Sequence, residues 1–231
     1  VVLVLLGGRP RLLNGLPGSV HAVIHGLLPG ELGGQAIAEI LFGKVNPNGR
    51  LPITYPKDAA NIMIPYNHRV STQCADGTYC KMEWDFGTGL SYTTFTYSKF
   101  TLSARNVTAG PSASVTASVT VTNSGKVAGK ETVLLFLTQP FRLISVPEVK
   151  QLKKFQKLSL QPGESADVSF TLTSDDWSVY APQIGQGFKK YAEDADFVVA
   201  LKPETDCDVY NTTSTVAKPL CATFTLSGNH N

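Results

Sequence analysis

Leu28 to Pro56 reads LPGELGGQAIAEILFGKVNPNGRLPITYP. Leu32, Ala36, Ile37, Ile40 and Leu41 recur at spacings that place them on one face of a helix, with Gly43 as its stop. Glu31 stands where the first turn of that helix favours a negative charge. Gly33 and Gly34 are poor helix formers, so their place near the start implies close backbone approach to a neighbour. Asn46-Pro47-Asn48-Gly49 is a turn, and Leu51 to Tyr55 is expected to be a strand closed by Pro56. This is the closing helix and strand of an α/β domain. Working outward, Val1 to Leu6 (VVLVLL) is a continuous apolar run bounded by Gly7, Gly8 and Pro10, the pattern of a parallel strand covered on both faces. Val20 to Leu28 suits a second short buried strand, interrupted by His21 and His25. Such strands need sheet neighbours, and too little α/β sequence follows to supply them, so the rest of the domain is expected upstream of Val1.

Residues 57–94 are aromatic and polar without a sustained period, and read as a long linking loop that contains one cysteine pair. Tyr66, Tyr79, Trp84 and Phe86 favour an ordered loop. After Thr94 the period becomes two. Phe95–Leu102, Ala113–Thr122, Glu131–Thr138, Leu152–Leu158, Ala166–Leu172, Asp196–Leu201 and Ala222–Leu226 alternate, with turns at Asn123-Ser124-Gly125 and Gln161-Pro162-Gly163-Glu164. Residues 95–231 therefore read as an antiparallel immunoglobulin-like sandwich, of fibronectin type because the inter-sheet cysteine pair is missing. The fold class expected is an α/β fragment, residues 1–56, followed by an all-β sandwich.

The 231 residues are 42% hydrophobic, ordinary for globular protein, and carry a net charge of +2 with 16% charged residues. Without a run of Lys or Arg, there is no footprint for nucleic acid or an anionic membrane. No stretch is long and apolar enough to span a membrane. The four cysteines fall into local pairs, Cys74 with Cys80 and Cys207 with Cys221, with no His or Cys neighbours at zinc-ligand spacing. They read as disulfides in preference to free thiols. Asn106-Val-Thr and Asn211-Thr-Thr are glycosylation sequons, and with the disulfides they point to the secretory route. Gly7-Gly8-Arg9 and Gly87-Thr88-Gly89 lack both GxGxxG spacing and a phosphate-binding Lys and read as turns, and no cofactor and no metal is expected.

VVLVLLGGRP, LPGELGGQAIAEILFGKVNPNGRLPITYP, IPYNHRV, DFGTGLSYTTFTYS and VTVTNSGKVAGKETVLLFL, in this order, closely resemble the C-terminal part of glycoside hydrolase family 3, from Val1 to about Leu201. That family includes secreted β-glucosidases and β-xylosidases. The resemblance implies a three-part enzyme built of a (β/α)8-type barrel, an α/β sandwich and a fibronectin-like domain. This chain matches the end of the second part and all of the third. It also implies a nucleophilic Asp in the barrel and an acid/base Glu ahead of the strand matched by VVLVLL, both outside this sequence. The missing barrel and remainder of the α/β domain are then the chain's partners, and a β-glucoside or β-xyloside its substrate.

A retaining glycosidase needs two carboxylates about 5–5.5 Å apart. Glu31 is a poor acid, because a helix N-terminus stabilises its anion and lowers its pKa. Glu83 and Asp85, flanking Trp84, read as solvated loop charges before sugar contacts. His21 and His25 read as core or edge histidines, since no nucleophile motif accompanies them. Tyr66, His68, Arg69 and Trp84 offer aromatic faces and polar groups on one loop, and are the candidate substrate contacts. The competing reading is a non-catalytic secreted module that binds sugar or protein through the sandwich.

Overall fold

The computed structural model describes residues 1–71, 74, 80–183, 187–202, 206–207, 209 and 218–228. The chain divides into two compact units, one of Val1–Tyr66 with Ser71–Tyr92 and one of Asn67–Val70 with Thr93–Asn231.

In the first unit β1 (Val2–Leu6) pairs in parallel with β2 (Ala22–Leu27), Val2 opposite Ala22 and Leu5 opposite His25. The expected cover on both faces is not present among the described residues: Val2 is 41% and Leu6 58% exposed. Helix α1 (Gly33–Leu41) follows, ended by Phe42 N donating to Ala38 O and by Gly43 in the left-handed region at φ 76°. At Gly33 a Cβ would lie 2.5 Å from Pro29 Cγ, which is why glycine stands there, whereas Gly34 faces open space. Glu31 is exposed and precedes the Leu32 N-cap, and the first turn holds no acidic residue. Its expected place on the helix dipole is therefore corrected: the Gly30–Gly33 turn starts the helix two residues later.

The strand expected over Leu51–Tyr55 is reduced to β3 (Tyr55–Pro56), which pairs with β4 (Met82–Trp84) inside the segment read as aperiodic. Leu51 makes one isolated backbone pair, donating to Thr88 O and accepting from Gly87 N, and Pro52 has no N–H to extend the ladder. Short 3-10 turns stand at Leu16–Ser19, between β1 and β2, and at Ala59–Asn61, before β4.

The second unit is a β-sandwich. One sheet orders β10 (Ser165–Thr173), β7 (Ser114–Asn123) and β5 (Phe95–Leu102). The other orders β6 (Asn106–Thr108), β14 (Cys221–Ser227), β13 (Ala195–Leu201), β8 (Gly129–Thr138) and β9 (Gln151–Leu160). Alternation decides the faces. Val115, Ala117, Val119 and Val121 of β7 point into the core with Val133, Leu135, Leu137, Leu172, Phe197, Val199, Phe224 and Leu226. On the outer face the hydroxyls bond across strands, Ser118 to Ser169 at 2.8 Å and Thr122 to Ser165 at 2.7 Å. Short elements escaped the alternation pattern. They are β6, the hairpin of β11 (Val179–Gln183) and β12 (Gly187–Tyr191), and the single turn α2 (Ser174–Trp177), which a Thr173–Asp176 capping box starts. Trp177 of that turn is buried against Phe197 and Phe224.

Candidate functional site

Aromatic residues of the first unit pack in two groups. Tyr55 is fully buried, with His25 at 5.4 Å on one side and Trp84 at 5.1 Å on the other, both edge-on, and its hydroxyl accepts from Arg11 N. Trp84 is half-buried because β3 and β4 bring it opposite Tyr55 in register. Tyr66 stacks on Phe86 with ring centroids 4.3 Å apart. Glu83 and Asp85 flank Trp84, Glu83 half-buried and Asp85 exposed. Among the described residues His25 Nδ1 is buried without a hydrogen-bond partner, and burial holds the imidazole below its ordinary pKa. His25 is thus an aromatic packing residue.

His68 and Arg69 belong to the second unit, where Asn67–Val70 pairs with the chain before β9. Val70 N donates to Pro147 O, Val149 N donates to His68 O, and Arg69 and Glu148 face each other in an antiparallel bridge. The Arg69 guanidinium pairs with Glu148 at 2.7 Å and donates to Val146 O. Glu148 also pairs with the buried Arg142 at 3.0 Å. A neighbouring carboxylate and carbonyl therefore hold Arg69, while among the described residues His68 engages its Nδ1 alone, 2.9 Å from Arg69 O. Glu148 and Arg142 escaped the reading of the sequence. An arginine inside the apolar run FRLISVP was the available signal, since a charge there needs a partner.

Both cysteine pairs are disulfides, Cys74–Cys80 and Cys207–Cys221, as expected. Asn106 and Thr108 are exposed on β6, whereas Asn211 and Tyr79 lie outside the described residues.

Comparison with known proteins places these features in a family. Residues 1–92 match the glycosyl hydrolase family 3 C-terminal domain and residues 131–203 the fibronectin type III-like domain. A lysosomal beta glucosidase of Dictyostelium discoideum is 42% identical over 87% of this chain and 24% of its own length. A periplasmic beta-glucosidase of Salmonella typhimurium is 40% identical over 74% of this chain and 24% of its own. A crystal structure of beta-glucosidase from Listeria innocua in complex with glucose superposes with a TM-score of 0.82 at 28% identity, covering 99% of this chain and 31% of that one. The chain thus spans a quarter to a third of the length of these relatives. With both domain models matched in order and the paired strands, helix and sandwich in place, the chain belongs to glycoside hydrolase family 3, as its C-terminal domain joined to a fibronectin type III-like domain.

Proposed function

We propose that this chain is the C-terminal portion of a secreted β-glycosidase, most closely a β-glucosidase, that hydrolyses terminal β-linked sugars by a retaining two-carboxylate mechanism. The observation that carries the reading is the 42% identity to a β-glucosidase over 87% of this chain, against only 24% of that enzyme's length. Both catalytic carboxylates are assigned to the remainder of the enzyme. Among the described residues the acids are exposed, half-buried as Glu83 is, or engaged, as Glu148 is by Arg69 and Arg142 and Asp176 by Lys154 at 2.9 Å. Secretion is supported by the two disulfides and by the exposed Asn106 sequon, and a mass decrease on enzymatic deglycosylation of the secreted protein would check it.

The substrate contacts proposed are Tyr66, His68, Arg69 and Trp84. His68 has the firmest case, because its Nε2 is uncommitted among the described residues, while Arg69 and Trp84 also serve packing. Alone, the chain should not turn over aryl β-glucosides or aryl β-xylosides. Turnover abolished by mutating a carboxylate within it would refute the assignment of the catalytic pair. In the complete enzyme His68→Ala should lower kcat/KM with the melting temperature unchanged. Unchanged kinetics with a melting temperature several degrees lower would make this segment a structural strap.

A further inference from the structure

The connection between β8 and β9 is bonded through polar groups at its base and apolar at its tip. Glu193 accepts from Leu143 N at 3.0 Å, from Ile144 N at 2.8 Å and from Gln139 Nε2 at 3.2 Å. Arg142, with a side chain only 5% exposed, donates to Gln139 Oε1 at 2.9 Å and pairs with Glu148. Arg69 holds the same Glu148 and the Val146 carbonyl. These bonds hold the backbone in one conformation, yet Leu143 is 98%, Phe141 76% and Val146 55% exposed. Three large apolar side chains exposed within six residues of one loop mark an interaction surface, and one already held by these bonds loses little entropy on being covered.

Lys153, on β9 beside the base of this connection, points the same way. Leu135 pairs with Lys154 and Phe136 with Leu152, so Lys153 is the unpaired residue of a β-bulge. It is half-buried, and burial lowers its pKa against the attraction of Asp176 and Glu148 and with the repulsion of Arg142 and Lys154. Asp176 is already paired with Lys154, and Glu148 with both arginines. Among the described residues no carboxylate pairs with Lys153. Burial of this ammonium costs less when a further carboxylate reaches it.

The relatives identify the occupant, because roughly three quarters of the Dictyostelium enzyme and two thirds of the Listeria chain lie outside the region matched here. We propose that the 139–150 connection is a docking element for the part of the parent polypeptide outside residues 1–231, which covers Leu143, Phe141 and Val146 with an apolar socket and brings a carboxylate to Lys153. This rests on the reading that the chain is part of a longer enzyme.

Hydroxyl-radical footprinting of the complete enzyme beside the 231-residue chain tests it. Phe141 and Leu143 should oxidise several-fold more slowly in the complete enzyme. Leu143→Asp and Lys153→Gln should each lower its melting temperature by several degrees, Lys153→Arg less so, while none of them destabilises the 231-residue chain. A complete enzyme that hydrolyses aryl β-glucoside but whose tip oxidises as fast as in the chain overturns the docking element and leaves the enzyme reading intact. A protected tip on a complete protein without hydrolysis does the reverse. Concentration-dependent dimerisation of the 231-residue chain, abolished by Leu143→Asp, would make a second copy the occupant and overturn the proposal.

Discussion

Asn123 shows how much one side chain can organise. It is fully buried at the end of β7, accepts from Thr93 Oγ1 at 2.6 Å and from Gly125 N, and donates to Val127 O and Leu160 O at 2.9 and 3.0 Å. Asn123→Leu keeps the branched outline but removes every side-chain hydrogen bond, and should cost about 2–4 kcal/mol in urea unfolding of the sandwich. Gly125→Ala should weaken the same corner, because its Cβ would lie 2.2 Å from Thr93 Oγ1 and 2.8 Å from Thr94 N. Read as sequence, Asn123-Ser124-Gly125 is simply a turn; that the asparagine points inward is a fact of packing. His25 carries a pH dependence. Its folded pKa is depressed by burial, so the unfolded chain binds the proton more readily. Stability of the first unit should hold above the unfolded pKa of about 6.5 and fall as pH drops through and below it. Thermal melts of His25→Phe and the parent chain between neutral and mildly acid pH should show a smaller slope for the variant. Equal slopes would remove His25 from the acid response.

At the scale of elements, the segment Thr88–Tyr92 straps onto the Asn46–Gly49 turn. Asn46 Oδ1 accepts from Ser91 Oγ at 2.9 Å and Tyr92 N at 2.8 Å, and the Tyr92 hydroxyl donates to Ile40 O at the end of α1. Gly89 passes so close that a Cβ would meet Gly49 O at 2.2 Å, whereas a Cβ on Gly49 itself meets nothing. Gly89→Ala should therefore release the strap, read as faster amide exchange over residues 88–92, and Gly49→Ala should leave exchange unchanged. The sequence suggested turn chemistry for both glycines alike. Only the packed chain distinguishes the one that must be small from the one that need not be. The strands of the sandwich were legible because period two matches one buried face, and Phe95–Leu102 has the bounds the alternation implied. Tyr55–Pro56 and Met82–Trp84 are too short to show any period, and a proline interrupts the run before them.

Taken as a whole molecule, the two units differ in what they bury. The sandwich has a continuous core from Val107 to Leu226, while the first unit, among its described residues, buries little apolar side-chain surface beyond Leu13 and Tyr55. Hydrophobic burial scales with area removed from water, so the first unit should open more readily. In native-state hydrogen exchange of this chain, amides of Val2–Leu6 and Ala22–Leu27 should exchange well before those of Val133–Leu137. Equal protection across both would contradict the difference in burial.

Sequence alone determined the α/β-then-sandwich order, the family resemblance, both disulfide pairings and the absence of a cofactor motif, because periodicity, turn chemistry and local cysteine spacing act over a few residues and survive without coordinates. Tertiary structure decided the rest. It moved the start of α1 past Glu31, shortened the strand expected at Leu51–Tyr55 to two residues, and paired Arg69 with Glu148 across a long stretch of chain. It also turned the apolar tip at Leu143 outward. Each of these depends on which distant groups satisfy a charge, a carbonyl or an apolar surface, and no local pattern encodes that choice.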